Sequence, residues 1–412
     1  MNLLFIHQNF PGQYKYLAPA MAALPGNRVI GVGEADNLKR LPPAWGGLTQ
    51  VIPYPRPQTA SPSTHHYLQG FESAVRRGQH VARLLLELRK TGFVPEVVCV
   101  HPGWGEGLFV RDIFPEARIV MFAEFFYRSK GSDVGFDPAL PVELDDICRL
   151  RTRNATQLVS LEAADLLICP TEWQKAQYPA MFSSKIRVIH DGVDTDLVAP
   201  RPEATLQVSD SLTLSSRDEV ITYVARNLEP YRGFPTLMRA LPEILQRRPR
   251  AQVVIVGGDG VSYGRPPAGG KTFRQSLLAE VGARIDTKRV HFLGYVPYQR
   301  YLDVLAVSTV HVYLTYPFVL SWSLLEAMAA GCAVIGSDTQ PVREVIRDGE
   351  NGILTDFFDT ARLADRVVGL CRRRESLAEI RSRARQTVVE RYDLRRICLP
   401  QQVELVLSQG RE

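Results

Sequence analysis

The sequence predicts an α/β protein made of two domains, each built on a doubly wound parallel sheet. Three observations lead to this prediction. Short apolar runs typical of buried parallel strands alternate with stretches of helical period in both halves of the chain. The 412 residues are long for a single hydrophobic core. An Asp-Gly turn signal within residues 190–196 separates the halves, so we expect domains over residues 1–195 and 196–390.

Composition narrows the class of protein. The hydrophobic content of 45% and the charged content of 23% are those of an ordinary globular protein. We find no run of about 18 apolar residues and no secretory signal pattern at the amino terminus, so we expect a cytoplasmic protein. The net charge of +5 is modest, and we expect no nucleic-acid partner. The six cysteines are scattered without metal-ligand spacing, which predicts buried thiols and no metal site.

In the first half, apolar runs predict parallel strands at residues 2–7, 28–32, 48–52, 96–100, 118–122 and 165–169. Stretches of helical period predict helices at residues 14–24, 67–90 and 147–163, and Thr171 is expected to cap a further helix. Residues 129–146 contain Gly, Asp and Pro without a steady period, which indicates a mobile loop over a cleft.

The predicted helix at residues 67–90 is strongly basic on one side. Its outward face is expected to carry Arg76, Arg77, Arg83, Arg89 and Lys90. Such a face is usually only solvated. The alternative is peripheral contact with anionic lipid or with a lipid-linked acceptor.

Several loops of the first half follow predicted strands and therefore lie where open α/β sheets bind ligands. Gly12 follows the first strand, either in a plain turn or beside a ligand. The loop at residues 101–106 holds His101, Trp104 and Glu106 with two glycines, which is more than a connection requires. It indicates part of a donor or acceptor cleft, or else an ordinary turn that Glu106 caps. Residues 123–128, which include Glu124 and Tyr127, follow the next strand.

The second half repeats the alternation. Strands are predicted at residues 219–225, 252–256, 290–293, 333–336 and 353–354, and helices at 234–246, 359–373 and 376–391. The polar run at residues 201–218 indicates a loosely held entry into the domain. The Gly/Pro-rich residues 261–270 indicate a flexible insertion, beyond which Lys271 is within reach of a phosphate.

The most informative stretch is residues 314–338. Ser321, Trp322 and Ser323 precede an apolar helix at residues 324–330, and Ser323 followed by Glu326 has the form of a capping box. The helix start would then expose backbone N–H groups that suit an anion such as a diphosphate. The alternative is that Glu326 only caps the helix.

This stretch resembles the signature of retaining glycosyltransferases of the GT4 type, which share the two-domain GT-B fold. In that family a Glu, seven residues and a second Glu lead into EAMA-x-G-x-PV-x-A. Glu326 matches the second Glu, which holds the ribose hydroxyls of the donor in the family. The first Glu, which holds donor-sugar hydroxyls, falls at Phe318, so the chain departs from the pattern there.

Further motifs carry the resemblance. Residues 226–233 resemble the family's GR-x-x-x-x-KG, with Arg226 at the first position and Arg232 in place of the Lys, and these cations grip the diphosphate in the family. Gly257 and Gly258 resemble its VGxG turn, and residues 290–296 its base-binding edge. Residues 190–196 resemble the IPNGVD linker, and residues 341–352 resemble P-x-x-E-V-I-x-D-G-x-N-G.

The resemblance implies a nucleotide sugar bound between the two domains and transferred with retention to a carbohydrate, lipid-linked or other glycan acceptor. It implies no metal and no cofactor besides the nucleotide sugar, and it implies that residues 391–412 pack back on the first domain. The catalytic residues it implies are Arg226, Arg232, Glu326 and Glu124, the last in place of the family's His. Donor-binding residues would be Gly12, Gly257, Gly258, Tyr295, Val296, Phe318, Leu320, Ser321, Trp322, Ser323 and Glu326, and acceptor-binding residues His101, Trp104, Glu106 and Tyr127.

Two other functions remain open from the sequence. The same fold serves epimerases and phosphorylases that act on sugar nucleotides or sugar phosphates, although no motif for a lysine-bound pyridoxal phosphate is evident. The departures at Phe318 and Glu124 also allow a catalytically degenerate module that binds a nucleotide sugar or a partner without turnover.

Overall fold

The computed structural model describes residues 1–39, 41, 45–373 and 377–408. The chain forms two compact units. The first contains residues 1–191 together with the carboxyl-terminal residues from 395 onward, and the second contains residues 192–394. Each unit is an α/β structure around its own parallel sheet, as the sequence predicts.

The first unit is built on a seven-stranded parallel sheet in the order β3-β2-β1-β4-β5-β6-β7. Its strands are β1 (Asn2–Ile6), β2 (Arg28–Glu34), β3 (Gln50–Tyr54), β4 (Val97–Val100), β5 (Arg118–Phe122), β6 (Leu166–Cys169) and β7 (Ile186–Val188). Phe5 of β1 pairs with Gly31 on one side and with Cys99 on the other. The strand order therefore reverses between β1 and β4, which is the topological switch point of this sheet. The short β7 is the strand that the sequence did not predict.

Helices cover both faces of this sheet. They are α1 (Leu17–Ala23), α2 (Ala35–Leu38), α3 (Gln69–Lys90), α4 (Val110–Ile113), α5 (Leu144–Arg153), α6 (Ala155–Glu162) and α7 (Glu172–Gln177), with 3-10 turns that include Gly12–Lys15 and Pro102–Trp104. Leu4 and Ile6 face one core with Leu85 of α3, while Leu3 and Phe5 face the other. This alternation is what a strand buried on both faces produces.

Two predictions for this unit need correction. The helix expected at residues 147–163 is two helices, α5 and α6, that meet at Asn154. The Asn154 side chain exchanges two hydrogen bonds with the backbone of Tyr127, so it serves the loop after β5. The loop expected at residues 129–146 ends earlier, because a capping box formed by Glu143 and Asp146 starts α5 at Leu144.

The second unit has a six-stranded parallel sheet in the order β12-β11-β10-β13-β14-β15, beside a two-stranded hairpin of β8 and β9. Its switch point lies between β10 and β13. The strands are β8 (Thr205–Ser209), β9 (Leu212–Ser215), β10 (Val220–Asn227), β11 (Gln252–Gly258), β12 (Val290–Gly294), β13 (Val310–Tyr313), β14 (Ala333–Ser337) and β15 (Ile353–Thr355).

The helices of this unit are α8 (Phe234–Arg247), α9 (Phe273–Val281), α10 (Tyr298–Ala306), α11 (Trp322–Ala329), α12 (Gln340–Arg343), α13 (Thr360–Arg372) and α14 (Ala378–Arg391). The hairpin contradicts the loosely held entry predicted at residues 201–218. Leu206 and Leu214 pair across β8 and β9 and are both buried against β10 and β11. Their apolar burial orders a segment whose Ser and Thr content suggested a loop. The predicted start of the last helix, Ser376, lies outside the described residues.

The chain then returns to the first unit as α15 (Leu399–Leu407). Val406 is fully buried beside Leu3 and Phe5, and Arg118 donates to the carbonyls of Leu405 at 3.0 Å and Val406 at 3.3 Å. Residues 409–412 lie outside the described part of the chain.

Two further sequence predictions can be compared with the structure. Five of the six cysteines are buried, and burial raises the pKa of the Cys99 thiol to about 12, as expected for a thiol in an apolar core. Among the described residues, no helix combines the length and the apolar character that crossing a membrane requires.

Candidate functional site

Each unit brings loops together at the carboxyl edge of its sheet, on the two strands that flank the switch point. In open α/β sheets this is where ligands bind. In the second unit these loops follow β10 and β13. In the first unit they follow β1 and β4, with the loop after β5 beside them.

In the second unit, Arg232 ends a short 3-10 turn after β10. Its Nη1 donates to Thr315 Oγ1 at 2.8 Å and to the carbonyl of Val319 at 3.2 Å, both in the loop after β13. The Tyr223 hydroxyl donates to the carbonyl of Arg232 at 2.7 Å. Among the described residues, no carboxylate oxygen lies within 4.0 Å of its side-chain nitrogens. A partly buried guanidinium is thus held in place while its charge remains available for an anion.

Arg226 is placed differently. Five residues separate it from Arg232, one more than in the family motif, and the β10–β11 register shifts between Val224 and Asn227. This irregularity absorbs the extra residue, and the Arg226 side chain is exposed at the end of β10. Of the two arginines predicted from the motif, the structure holds only Arg232 against the loop after β13.

The start of α11 differs from the capping box predicted from the sequence. Ser321 is the N-cap, its Oγ accepting from the backbone N–H of Ser323 at 3.4 Å, and the helix begins at Trp322 rather than after Ser323. The backbone N–H of Ser321 donates to the Tyr313 hydroxyl at 2.9 Å. Glu326 has no capping role, because its carboxylate accepts hydrogen bonds from Tyr298 and Tyr301.

Glu326 is held by two phenols. Tyr298 donates to Oε1 at 2.7 Å and Tyr301 donates to Oε2 at 2.8 Å, both from α10. Burial, followed by the carboxylate itself, raises the pKa of Tyr301 well above its ordinary value, so this phenol keeps its proton. Each carboxylate oxygen can accept a further hydrogen bond. The arrangement suits a group that presents hydroxyls.

Other predicted donor residues surround these two groups. Tyr295 is 70% exposed, and its hydroxyl donates to Asn227 Oδ1 at 2.6 Å. Its ring covers Gly258, where a Cβ atom would lie 2.3 Å from the ring, so a larger residue there would displace the Tyr295 ring. Phe318 and Leu320 are buried, which leaves their backbone rather than their side chains for a ligand. The remaining predicted positions lie at the same edge: Gly257 is the residue before the end of β11, Val296 precedes α10, and Trp322 is exposed at the start of α11.

In the first unit, His7 follows β1 and His101 follows β4, with their ring centroids 5.0 Å apart. Backbone N–H groups fix both rings. The amide of Asn9 donates to Nδ1 of His7 at 2.9 Å, and the amide of Gly103 donates to Nδ1 of His101 at 3.1 Å. A neutral imidazole that accepts at Nδ1 carries its proton on Nε2. Burial, and secondarily the charge of His101, lower the pKa of His7 well below its ordinary value, so His7 is neutral.

Both Nε2 atoms lead to Glu124. Nε2 of His7 lies 2.7 Å from Gln13 Oε1, and Gln13 Nε2 donates to Glu124 Oε1 at 2.9 Å. Nε2 of His101 lies 3.5 Å from Glu124 Oε2. The Glu124 side chain is 33% exposed, whereas the His101 side chain is almost fully buried. Solvent therefore reaches the Glu124 carboxylate, which accepts a hydrogen bond from Gln13 and lies beside the buried His101.

His7 and Gln13 were not predicted as site residues from the sequence. The signal was present, because both lie in the polar loop directly after the first strand. Gly12, predicted to face a ligand, instead packs on His7: its φ is +50°, and a Cβ atom there would lie 2.5 Å from the imidazole. Trp104 stacks on His101 at 4.5 Å and lies 5.3 Å from His7, so it belongs to the same cluster.

Two predicted acceptor residues occupy other positions. Glu106 is buried beneath its loop, where the Tyr54 hydroxyl donates to Oε1 at 2.7 Å and Arg77 Nε lies 3.5 Å away. Burial raises the pKa of Glu106, partly offset by Arg77. Arg77 also donates to the carbonyl of Trp104 at 3.3 Å, so the pair supports the loop. Tyr127 accepts from Arg153 at 2.8 Å, away from the His7 network.

The contacts of Arg77 contradict the basic outward face predicted for α3. The Arg77 side chain is only 13% exposed and points inward to Glu34 and Glu106. Arg89 donates to the carbonyl of Ile113 at 3.0 Å. Most of the face is therefore committed to bonds within the unit or, for Arg76 and Lys90, to neighbours on the same helix.

The described residues contain no group of three or more His, Cys, Asp or Glu side chains placed to hold a metal ion.

Comparison with known families assigns both halves of the chain. Residues 25–198 match the model described as the glycosyl transferase family 4 group, and residues 207–387 match the model described as glycosyl transferases group 1.

Curated relatives match over part of their length. The chain is 28% identical over 227 residues to D-inositol 3-phosphate glycosyltransferase of Nocardia farcinica, covering 54% of this chain and 48% of the relative. It is 32% identical over 180 residues to phosphatidyl-myo-inositol mannosyltransferase of Mycobacterium leprae, covering 42% of this chain and 43% of the relative. The chain thus spans about half the length of the curated relatives it matches.

Solved structures match over the whole chain. Sucrose-phosphate synthase from Thermosynechococcus elongatus is 19% identical with a TM-score of 0.73, covering 98% of both chains. HepE of Anabaena, in complex with UDP and glucose, is 17% identical with a TM-score of 0.66, covering 100% of both chains. At this identity the likeness shows the fold. Together with the two family models, it shows that the chain belongs to the group 1 glycosyltransferases of the GT4 type, which have the GT-B fold.

Proposed function

We propose that the protein transfers a sugar from a nucleoside diphosphate sugar to a hydroxyl acceptor, with retention of the anomeric configuration. The observation that carries the proposal is Arg232, a fixed cation without a carboxylate partner among the described residues, at the switch point of the second unit. Glu326, on the first turns of α11 in the same unit, supplies hydrogen-bond acceptors for ribose hydroxyls.

A cation at this position has a clear catalytic use. When the glycosidic bond breaks, the departing nucleoside diphosphate gains negative charge. A preorganised guanidinium stabilises that charge more in the transition state than in the ground state, which is what lowers a barrier. Thr315 and Val319 hold Arg232 before the donor binds, so little reorganisation is needed. In a retaining reaction on one face of the sugar, the leaving phosphate itself takes the acceptor's proton.

The first unit supplies the acceptor site in this proposal. Glu124 accepts a hydrogen bond from the hydroxyl that is to be glycosylated, and Trp104 offers an aromatic surface to a sugar or polyol ring. Gln13 and the two histidines orient the carboxylate. Glu124 thus orients the hydroxyl and needs no metal to do so.

The named relatives support transfer over the other functions left open by the sequence. They are glycosyltransferases that act on inositol phosphate or phosphatidylinositol by their names, which favours catalysis over a degenerate binding module. UDP and GDP sugars are both candidate donors, and the structure of HepE with UDP makes UDP the first to try.

The test is a donor and acceptor screen. Purified protein is offered UDP and GDP sugars with neutral polyols, sugars and inositol phosphates, and nucleotide release is measured. Acceptor-dependent release supports transfer, and the coupling constant of the anomeric proton in the product reports retention or inversion. Interconversion of the nucleotide sugar without any acceptor would support an epimerase. Nucleotide binding without release under all conditions would contradict the proposal.

A further inference from the structure

The insertion after β11 is fastened to the loop that carries Arg232. Two consecutive amides, those of Ser262 and Tyr263, donate to Glu229 Oε2 at 3.0 Å and 2.8 Å. Asn227 Nδ2 donates to Ser262 Oγ at 2.7 Å. The start of the segment that the sequence suggested to be flexible is therefore anchored by three hydrogen bonds to residues between Arg226 and Arg232. We call residues 261–263 the strap.

Glu229 is unusual for a residue in a connecting loop. It is fully buried, and burial raises its pKa, opposed by the two strap amides and by the charge of Arg232. Its second oxygen, Oε1, is buried without a hydrogen-bond partner in the structure. A carboxylate that served only to hold two amides would need one oxygen. Burying a charged carboxylate with one oxygen unbonded costs free energy, and the attraction to the charge of Arg232 offsets part of that cost.

Tyr263 of the strap places an aromatic ring beside Arg232. The guanidinium carbon lies 5.7 Å from the Tyr263 ring centroid, on a side chain that also donates to Thr315 and Val319. The ring is itself packed at 4.8 Å against Phe318. The guanidinium is thus bounded by fixed hydrogen-bond acceptors and an immobilised ring. A cation over an aromatic face is attracted by the ring, and the attraction is stronger when water is excluded.

We propose that Glu229 and Tyr263 are positioning residues for Arg232, and that the strap is part of the diphosphate site. Tyr263 restricts the rotamers of the arginine, and Glu229 holds Tyr263 there through the strap amides. The ligand class is a nucleoside diphosphate, so the inference rests on the proposed function and adds residues to its donor side. Neither residue touches the reacting atoms.

The chemistry of the two side chains separates positioning from bulk structure. In Tyr263→Phe the ring next to Arg232 remains, whereas in Tyr263→Ala it is lost. In Glu229→Gln the amide oxygen still accepts both strap amides, but the negative charge beside Arg232 disappears. Glu229→Ala loses both. Glu243→Gln is the matched control, because Glu243 forms its ion pair with Arg247 on α8 and not with the strap.

The experiment measures the dissociation constant of UDP or GDP by calorimetry, then kcat and KM for the donor, on the full chain. Tyr263→Ala is expected to weaken nucleotide binding and raise the donor KM roughly tenfold, within the range of a lost cation–π contact. Tyr263→Phe is expected to stay within about twofold of wild type. Glu229→Gln, which still accepts both strap amides, is expected to stay within about twofold of wild type, whereas Glu229→Ala is expected to weaken nucleotide binding about threefold, and acceptor KM is expected to change in none of the variants.

Three outcomes overturn the inference. If Tyr263→Ala and Glu229→Ala bind nucleotide as wild type does while Arg232→Ala loses it, the strap is removed from the site and the proposed function stays intact. Tyr263→Phe may fall as far as Tyr263→Ala, which removes the ring contact. If wild type binds no nucleotide at all, the inference and the proposed function fail together. Thermal unfolding checks that each variant is folded. If Glu229→Ala does not fold, the comparison of Tyr263→Ala with Tyr263→Phe decides the test.

Discussion

The two switch points have the same architecture and opposite chemistry. In the second unit, the loops after β10 and β13 enclose a cation, Arg232, among aromatic rings and hydrogen-bond acceptors. In the first unit, the loops after β1 and β4 enclose two imidazoles that lead to a carboxylate, Glu124. The sheet fixes where a ligand is met, and the loop residues decide which ligand that is.

Arg232 and Glu124 also differ in the contacts that hold their side chains in place. Arg232 is fixed by side chains and carbonyls that leave its charge uncompensated by any carboxylate within 4.0 Å in the described chain. The Glu124 carboxylate accepts a hydrogen bond from Gln13 at 2.9 Å and lies 3.5 Å from Nε2 of His101. The second unit is thus suited to stabilise developing charge, and the first to orient a hydroxyl.

Removing the cation is expected to have the largest effect. Arg232→Ala should lower kcat/KM tenfold or more, because a charge-assisted hydrogen bond is worth roughly 1.5–3 kcal/mol. Arg232→Lys should fall between, since a lysine keeps the charge but loses the planar guanidinium that lies beside the Tyr263 ring. Steady-state kinetics with varied donor measure this, and Arg239→Ala, on an exposed ion pair with Glu280, is the control. Unchanged kinetics in Arg232→Ala would take residue 232 out of the diphosphate site.

Glu326 is expected to matter next, and only for the ribose. Wild type should bind a nucleoside diphosphate about tenfold tighter than its 2′,3′-dideoxy analogue, the value of one or two hydrogen bonds to a charged group. Glu326→Gln should lose most of this discrimination and Tyr298→Phe a smaller part, since Tyr301 still holds the carboxylate. Calorimetric titration of both ligands measures it. Equal discrimination in Glu326→Gln would assign the ribose to other residues.

Substitutions at the switch point of the first unit should change the kinetics for the acceptor and leave the affinity for nucleotide unchanged. Gln13→Leu breaks the link between His7 and Glu124, and a loss of about three- to tenfold in kcat/KM for the acceptor is expected from one or two uncharged hydrogen bonds. Gln13→Glu should do more, because it sets two carboxylates against each other. The affinity for nucleotide should stay at the wild-type value in both. A parallel loss of nucleotide affinity would mean that the two switch points do not divide the work as described.

Arg226 is expected to give the smallest effect. Its side chain is exposed and makes no hydrogen bond or ion pair with the described residues, so its attraction for a diphosphate is screened by solvent. Arg226→Ala should weaken nucleotide binding about threefold at low salt and less at 0.5 M salt, in line with roughly 1 kcal/mol or less for exposed pairs. Titrations at the two salt concentrations test this. A salt-independent loss as large as that of Arg232→Ala would show that both arginines act alike.

Much of the fold follows from sequence pattern because buried parallel strands are continuous apolar runs. The runs at residues 2–7, 118–122 and 252–256 fall on β1, β5 and β11. The β8–β9 hairpin was missed although Leu206, Val208, Leu212 and Leu214 alternate with polar residues, because the Ser and Thr content of the segment was interpreted as a loop. The same limit applies to β13, a strand of four residues that the pattern did not reveal.

The site was predicted unevenly for a similar reason. Motif spacing led to Arg232 and Glu326, but it also gave Arg226 the same weight, since a register shift in β10 is invisible in the sequence. His7 and Gln13 act through Glu124, which lies more than 100 residues away along the chain, and no local pattern connects them. Glu106 was predicted to face an acceptor because carboxylates in glycine-rich loops often do, and only the structure shows its burial with Tyr54 and Arg77.

The position of α15 bears on how the protein is made. The first core is sealed by Val406, whereas the second unit runs without interruption from residue 192 to residue 394. During synthesis, the amino-terminal residues leave the ribosome long before the helix that completes their core, and the later unit is whole while the earlier one is still open. The half that is translated first therefore receives one residue of its core, Val406, only after the other half has been synthesised.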